Sequence, residues 1–129
     1  MKIEHIAIWT RDLEQMRTFY ETYFGAKAGR KYRNPVTEFE SYFLEFESGS
    51  RLELMTRPGI QELPRDPGLH YQGLVHLALS VGSRERVTEL TERLRQDGFS
   101  IIGEPRTTGD GYFESVVPDP EGNRIEITI

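Results

Sequence analysis

The chain contains no cysteine. Disulfides, thiolate metal sites and cysteine nucleophiles are all excluded at once. Positive charge is in short supply: 16 Lys and Arg stand against 21 Asp and Glu, a formal net charge of −5. A nucleic-acid grip and an anionic membrane surface both need a basic face, so neither partner is expected. No apolar run approaches the roughly 18 residues that span a bilayer. The opening residues 1–9 carry one Lys and are broken by Glu4 and His5, unlike a secretory leader. The setting these features predict is cytoplasmic. No nucleophile–base arrangement for a serine hydrolase is legible. Gly109-x-Gly111 is too short for a nucleotide loop and is not followed by Lys-Ser or Lys-Thr.

What is present is enough for one core. At 129 residues and 14.9 kDa the expectation is a single domain, 1–129. Seven Phe and six Tyr argue against wholesale disorder. Residues 3–9 are short, apolar and β-branched, as a strand requires. Asp12 is a helix cap, and Leu13, Met16, Phe19, Tyr20 and Tyr23 then recur at helical steps until Gly25. Strands are predicted at 26–33, 38–46 and 51–55, with turns at Asn34-Pro35 and Glu47-Ser48-Gly49-Ser50. Residues 58–73 are rich in Pro and Gly and read as a linker, or as a lid over a site.

The chain then starts again. A strand is predicted at 74–81 and a helix at 84–97, with Val87, Leu90 and Leu94 on one face. Further strands follow at 100–102, 112–117 and 124–129. Both halves, about 1–57 and 74–129, therefore read strand–helix–strand–strand–strand. Ile3-Glu4-His5-Ile6-Ala7-Ile8 aligns with Leu74-Val75-His76-Leu77-Ala78-Leu79, and Arg51-Leu52-Glu53-Leu54 with Arg124-Ile125-Glu126-Ile127. Such an internal repeat outweighs any single motif, because chance rarely repeats element order and polar positions together.

Strand parity sharpens the repeat, since alternate side chains face opposite ways. Leu52 and Leu54 oppose Glu53; Ile125 and Ile127 oppose Glu126. His5 shares a face with Ala7 and Trp9, and His76 with Ala78 and Ser80. A lone His or Glu on a strand reads as a solvent-facing side chain. Two His and two Glu at equivalent positions of two related halves read instead as one site for a divalent first-row metal. Such a site suits Ni, Zn, Mn, Fe or Co, and residue type alone does not choose among them.

These residues resemble the vicinal oxygen chelate superfamily, which includes glyoxalase I, extradiol dioxygenases, methylmalonyl-CoA epimerase, and fosfomycin and bleomycin resistance proteins. The likeness covers essentially the whole chain. Its marks are Glu4-His5-Ile6-Ala7, Phe19-Tyr20, Phe24-Gly25, Arg51-Leu52-Glu53-Leu54, Val75-His76-Leu77-Ala78 and Asp119-Pro120-Glu121-Gly122-Asn123 with Ile125-Glu126. The resemblance implies an α+β fold of two pseudo-symmetric βαβββ modules forming a cupped mixed sheet with helices outside. It implies metal ligation by His5, Glu53, His76 and Glu126. That full set is most similar to bacterial glyoxalase I, a divalent-metal-dependent lyase/isomerase moving a proton next to a carbonyl through a metal-bound enediolate. Glu126 and then Glu53 are the implied catalytic bases. It also implies a homodimer acting on a small-molecule substrate.

The glutathione grip of that enzyme is not matched. Trp9 and Arg57 stand where the family places an Arg and an Asn, so glutathione is not the expected thiol. Trp9, Arg57, His70 and Tyr112 are the candidate substrate contacts. The alternatives are another superfamily metalloenzyme, an epimerase or dioxygenase, or a metal-free small-molecule binding or resistance protein.

Overall fold

The computed structural model describes residues 1–62, 70 and 72–129. Among these residues it is an α+β protein of two helices and two mixed sheets, divided into two compact units, 1–65 and 66–129. Much of the predicted linker, residues 63–69 and 71, lies outside the described residues, and with it the lid reading. Among the described residues, no helix is long and apolar enough to cross a membrane.

In the first unit the order is β1 (His5–Trp9), α1 (Leu13–Phe24), β2 (Lys27–Ala28), β3 (Tyr32–Asn34), β4 (Phe39–Glu45) and β5 (Arg51–Thr56). The sheet order is β1-β5-β4-β2, with β3 also on β4; β1 and β5 are parallel and β4 antiparallel to β5. Asp12 caps α1 through Oδ1, which accepts from the Gln15 amide at 2.9 Å, and Gly25 ends it at φ 64°. Only a residue without Cβ adopts that conformation freely. The predicted helical stripe is the buried one: Leu13, Met16, Phe19 and Tyr20 pack against the sheet, whose Leu44, Leu52 and Leu54 are also buried.

The second unit repeats this plan as β6 (His76–Ser80), α2 (Arg84–Gln96), β7 (Gly103–Thr107), β8 (Phe113–Pro118) and β9 (Arg124–Thr128). Its sheet order is β6-β9-β8-β7, with β6 and β9 parallel. The Ser83 hydroxyl accepts from the Arg86 amide at 3.3 Å and caps α2. Val87, Thr91 and Leu94 are buried with Val117, Ile125 and Ile127, and Thr91 and Ser115 share a buried hydroxyl hydrogen bond of 2.6 Å. That bond satisfies two polar groups which would otherwise weaken an apolar interface.

Two expected strands differ. The segment 26–33 is split into β2 and β3, because Arg30 and Lys31 together stand against the single residue Tyr42 between the pairs Gly29–Phe43 and Tyr32–Ser41. This is a β-bulge. The strand expected at 100–102 lies later, at Gly103–Thr107. The apolar Ile101-Ile102 suggested the earlier position, but pairing with β8 selects Gly-Glu-Pro-Arg-Thr. Pro105, which has no N–H, is tolerated because β7 is an edge strand. Here too two residues oppose one, Glu104 and Pro105 against Ser115, between Gly103–Val116 and Arg106–Glu114. The repeat therefore extends to an equivalent bulge in each unit, opened by Gly29 and Gly103.

A charged network joins α1 and β4 through Lys31 of the bulge. Lys31 Nζ lies 3.2 Å from Glu14 and 2.7 Å from Glu40, and the Tyr42 hydroxyl donates to Glu14 at 3.0 Å. Burial pushes the Glu14 carboxyl up, but Lys31, Tyr42 and Arg17 outweigh it and hold it below its ordinary 4.5. A depressed carboxylate stabilises the fold above its ordinary value, and that contribution is lost as pH falls through the lower folded value. Glu14→Gln is expected to lower stability near pH 7 by under about 1 kcal/mol, since the pair is solvent-screened. The difference from wild type shrinks as pH falls through the lowered folded value of Glu14, as read by denaturant titration of both proteins at several pH values.

Candidate metal and substrate site

The parity predicted for the site strands holds. Leu52 and Leu54 turn into the first core and leave Arg51, Glu53 and Met55 on the opposite face; Ile125 and Ile127 do the same for Glu126. Parallel pairing then sets the neighbours. In the first unit His5 lies across from Arg51 and Ala7 across from Glu53. In the second His76 lies across from Arg124 and Ala78 across from Glu126. The two registers are identical, so each His is the diagonal neighbour of its Glu, and a small alanine stands directly across from each Glu.

The side chains meet accordingly. His5 Nε2 is 3.7 Å from Glu53 Oε2, and His76 Nε2 is 3.5 Å from Glu126 Oε2. Both glutamates are largely buried and both histidines half-exposed. These separations exceed ordinary hydrogen bonds, so an Nε2 lone pair and a carboxylate oxygen remain available side by side in each pair. Imidazole nitrogen with carboxylate oxygen is donor chemistry that divalent first-row ions accept, so the residues present fit such an ion. Among the described residues the donors stand as two pairs, and no group of three or more metal-type side chains is gathered.

Local turns deliver these positions. The sharp turn between β8 and β9 is tied by Asp119, whose Oδ1 accepts from the amides of Glu121 and Asn123, each at 2.9 Å. It closes the register at Pro118–Arg124, which places Glu126 across from Val116. In the first unit Phe43 takes the place of Val116, across from Glu53. Its ring meets His5 edge-on at 5.3 Å and is covered by the Arg51 guanidinium at 4.2 Å.

Sequence reading missed two acidic residues. Glu114, in β8, is 8 % exposed and neighbours Glu126. Burial first, and then the neighbouring Glu126, push its carboxyl above the ordinary 4.5; Arg106, 3.5 Å away, pulls the other way. By register its counterpart in the first unit is Ser41. Parity with Val116 was the available signal. Glu4 is the second. It contacts His5 Nδ1, and its Oε1 accepts from Arg51 Nε at 2.9 Å. Those hydrogen bonds, from His5 and then Arg51, hold its carboxyl below the ordinary value.

The four candidate substrate contacts are dispersed. Trp9 is on the Glu53 face, 45 % exposed, with its ring edge-on to Phe39 at 6.1 Å; Tyr32 meets Phe39 at 6.0 Å. Arg57 is exposed just after β5, Tyr112 is exposed just before β8, and His70 is exposed.

Comparison with known proteins gives three kinds of match. The family model for the glyoxalase/bleomycin resistance protein/dioxygenase superfamily matches residues 2–127. Uncharacterized protein YwbC of Bacillus subtilis is 29 % identical over 97 % of this chain and 94 % of its own. Among solved structures, the trypanothione-dependent glyoxalase I of Leishmania major has a TM-score of 0.76 at 26 % identity, covering 99 % of this chain and 86 % of that one. Glyoxalase I from Zea mays has a TM-score of 0.78 at 25 % identity; this chain is covered over 98 % of its length but spans only 44 % of the maize chain.

Proposed function

Since the chain belongs to the glyoxalase/bleomycin resistance protein/dioxygenase superfamily, we propose that it is a divalent-metal-dependent lyase/isomerase of the glyoxalase I type, moving a proton at a carbon next to a carbonyl. The observation that carries this reading is the pair of register-identical His–Glu couples. The ion would be held by His5, Glu53, His76 and Glu126, one couple from each unit, of one chain or of two. Ni, Zn, Mn, Fe and Co all suit that donor set. Once bound, such an ion supplies Lewis acidity toward the oxygens flanking the reacting carbon.

The chain's own residues do the rest. Glu126 is the principal base: its carboxylate takes the proton from the carbon and returns it to the neighbouring one. Glu53 is the second candidate. Ala7 and Ala78 leave space beside each couple for a substrate. Each sheet also ends in an edge strand, β1 and β6 respectively, and covering such edges favours the homodimer carried in this proposal.

The substrate class follows from what flanks Glu53. Trp9, Phe39 and Tyr32 form an aromatic surface on its face, where a guanidinium fork for a carboxylate would be needed to hold glutathione. Arg57 is the proposed contact for an anionic group, with His70 and Tyr112 as further contacts. That one similar enzyme is trypanothione-dependent supports a thiol other than glutathione. The test is activity of metal-loaded protein with methylglyoxal and a panel of thiols. The glutathione hemithioacetal is expected to react poorly, with kcat/KM far under the diffusional ceiling of about 10⁸ M⁻¹s⁻¹. A value near that ceiling would show Trp9 to be no obstacle.

A further inference from the structure

His5 and His76 occupy equivalent positions, yet their surroundings differ on the ring edge away from the glutamate. Glu4 precedes His5, whereas Val75 precedes His76. The Glu4 carboxylate touches His5 Nδ1 and is itself held by Arg51, the residue across the ladder from His5. The Arg51 amide also donates to the Glu4 carbonyl at 3.0 Å, and the Ser50 hydroxyl donates to the Ile3 carbonyl at 2.7 Å. Glu4 is thus fixed through both its backbone and its side chain. Phe43 meets the His5 ring edge-on while Arg51 lies over Phe43. Arg124 stands in the place of Arg51 in the second unit, without a glutamate at position 75.

We infer that Glu4, braced by Arg51, is a positioning residue that fixes His5 as the tautomer protonated on Nδ1, with the Nε2 lone pair aimed to the Glu53 side. An ionised carboxylate only accepts hydrogen bonds, so a neutral ring in contact with it carries its proton on Nδ1. The other nitrogen is then a ligand by default, and its direction is set before any metal arrives. The ring of His76 has no such carboxylate beside it in sequence. The two halves of the site are therefore unequal: the first is preset, and the second acquires its tautomer from whatever it binds. The consequence for metal affinity rests on the function proposed above; the tautomer assignment does not.

Long-range ¹H–¹⁵N correlation spectra of the metal-free protein read the tautomer directly. The chain has three histidines, which single substitutions assign. At alkaline pH His5 is expected to show its proton on Nδ1, the nitrogen that contacts Glu4. Glu4→Gln keeps that pattern, because the amide oxygen still accepts. Glu4→Ala loses it and gives mixed tautomers with backbone resonances otherwise unmoved. Val75→Glu transfers the pattern to His76, given the identical register. In zinc titrations Glu4→Ala weakens binding by about 10–100-fold, the usual loss for a partner that orients a ligand, and Glu4→Gln weakens it less. Finding His5 protonated on Nε2 or on both nitrogens, or unchanged in Glu4→Ala, overturns the assignment. Expected tautomers with no zinc binding at all would sink the metal reading and leave the role of Glu4 standing.

Discussion

Replacing both His5 and His76 with Ala is expected to leave a folded protein that no longer holds a divalent ion. Protein purified without chelator should carry about one ion per four-donor site, as read by metal analysis alongside protein concentration. Each single substitution removes most of it. The physical reason is the donor type. Imidazole nitrogen is the ligand that lets a site compete for first-row metals, and the two carboxylates that remain are hard donors widely matched by water. Losing a direct ligand should exceed the roughly 10–100-fold loss that follows from removing a partner that only orients one. The fold should survive, because both rings sit on the half-exposed face, opposite the cores built on Leu52, Leu54, Ile125 and Ile127. Full occupancy in the double variant would end the claim. A wild-type protein that takes up no metal would move the assignment to a metal-free binder of small molecules.

The second large effect concerns proton transfer. Glu126→Gln is expected to retain measurable metal while proton exchange at the substrate carbon falls at least about 10²-fold. An amide oxygen still coordinates, though without charge, but accepts no proton at neutral pH. Deuterium wash-in at that carbon is the readout. Glu53→Gln should cost less. The surroundings of the two carboxylates differ: Glu114 neighbours Glu126, whereas Ser41 occupies that place beside Glu53. Equal losses would mean that both carboxylates serve, and unchanged exchange in both variants would remove these residues from the chemistry.

Much of this architecture was legible because it is local. The stripe Leu13, Met16, Phe19, Tyr20 and the cap residues Asp12 and Gly25 specify α1 through contacts within a few residues. The alternation around Glu53 and Glu126 follows from a backbone whose side chains alternate whatever the strand pairs with. Where local composition misled, pairing was the cause. Ile101-Ile102 has the better strand composition, yet Gly103–Thr107 is the strand, because the hydrogen-bonding groups of β8 needed a partner at that level.

The sequence by itself determined the repeat, the two helices, and the apolar and polar faces of the strands that carry His5, Glu53, His76 and Glu126. Tertiary structure alone decided which side chains became neighbours. Strand parity says which face a residue is on, not which residue lies across from it. That second fact depends on register between strands far apart in the chain, such as His5 with Arg51 or Ala78 with Glu126. Hence the 3.7 Å and 3.5 Å separations of the His–Glu couples, the Glu114–Glu126 contact and the bracing of His5 by Glu4 and Arg51 appeared only once the sheets were assembled. A hydrogen-bonded ladder is a long-range agreement between segments, and no single segment contains it.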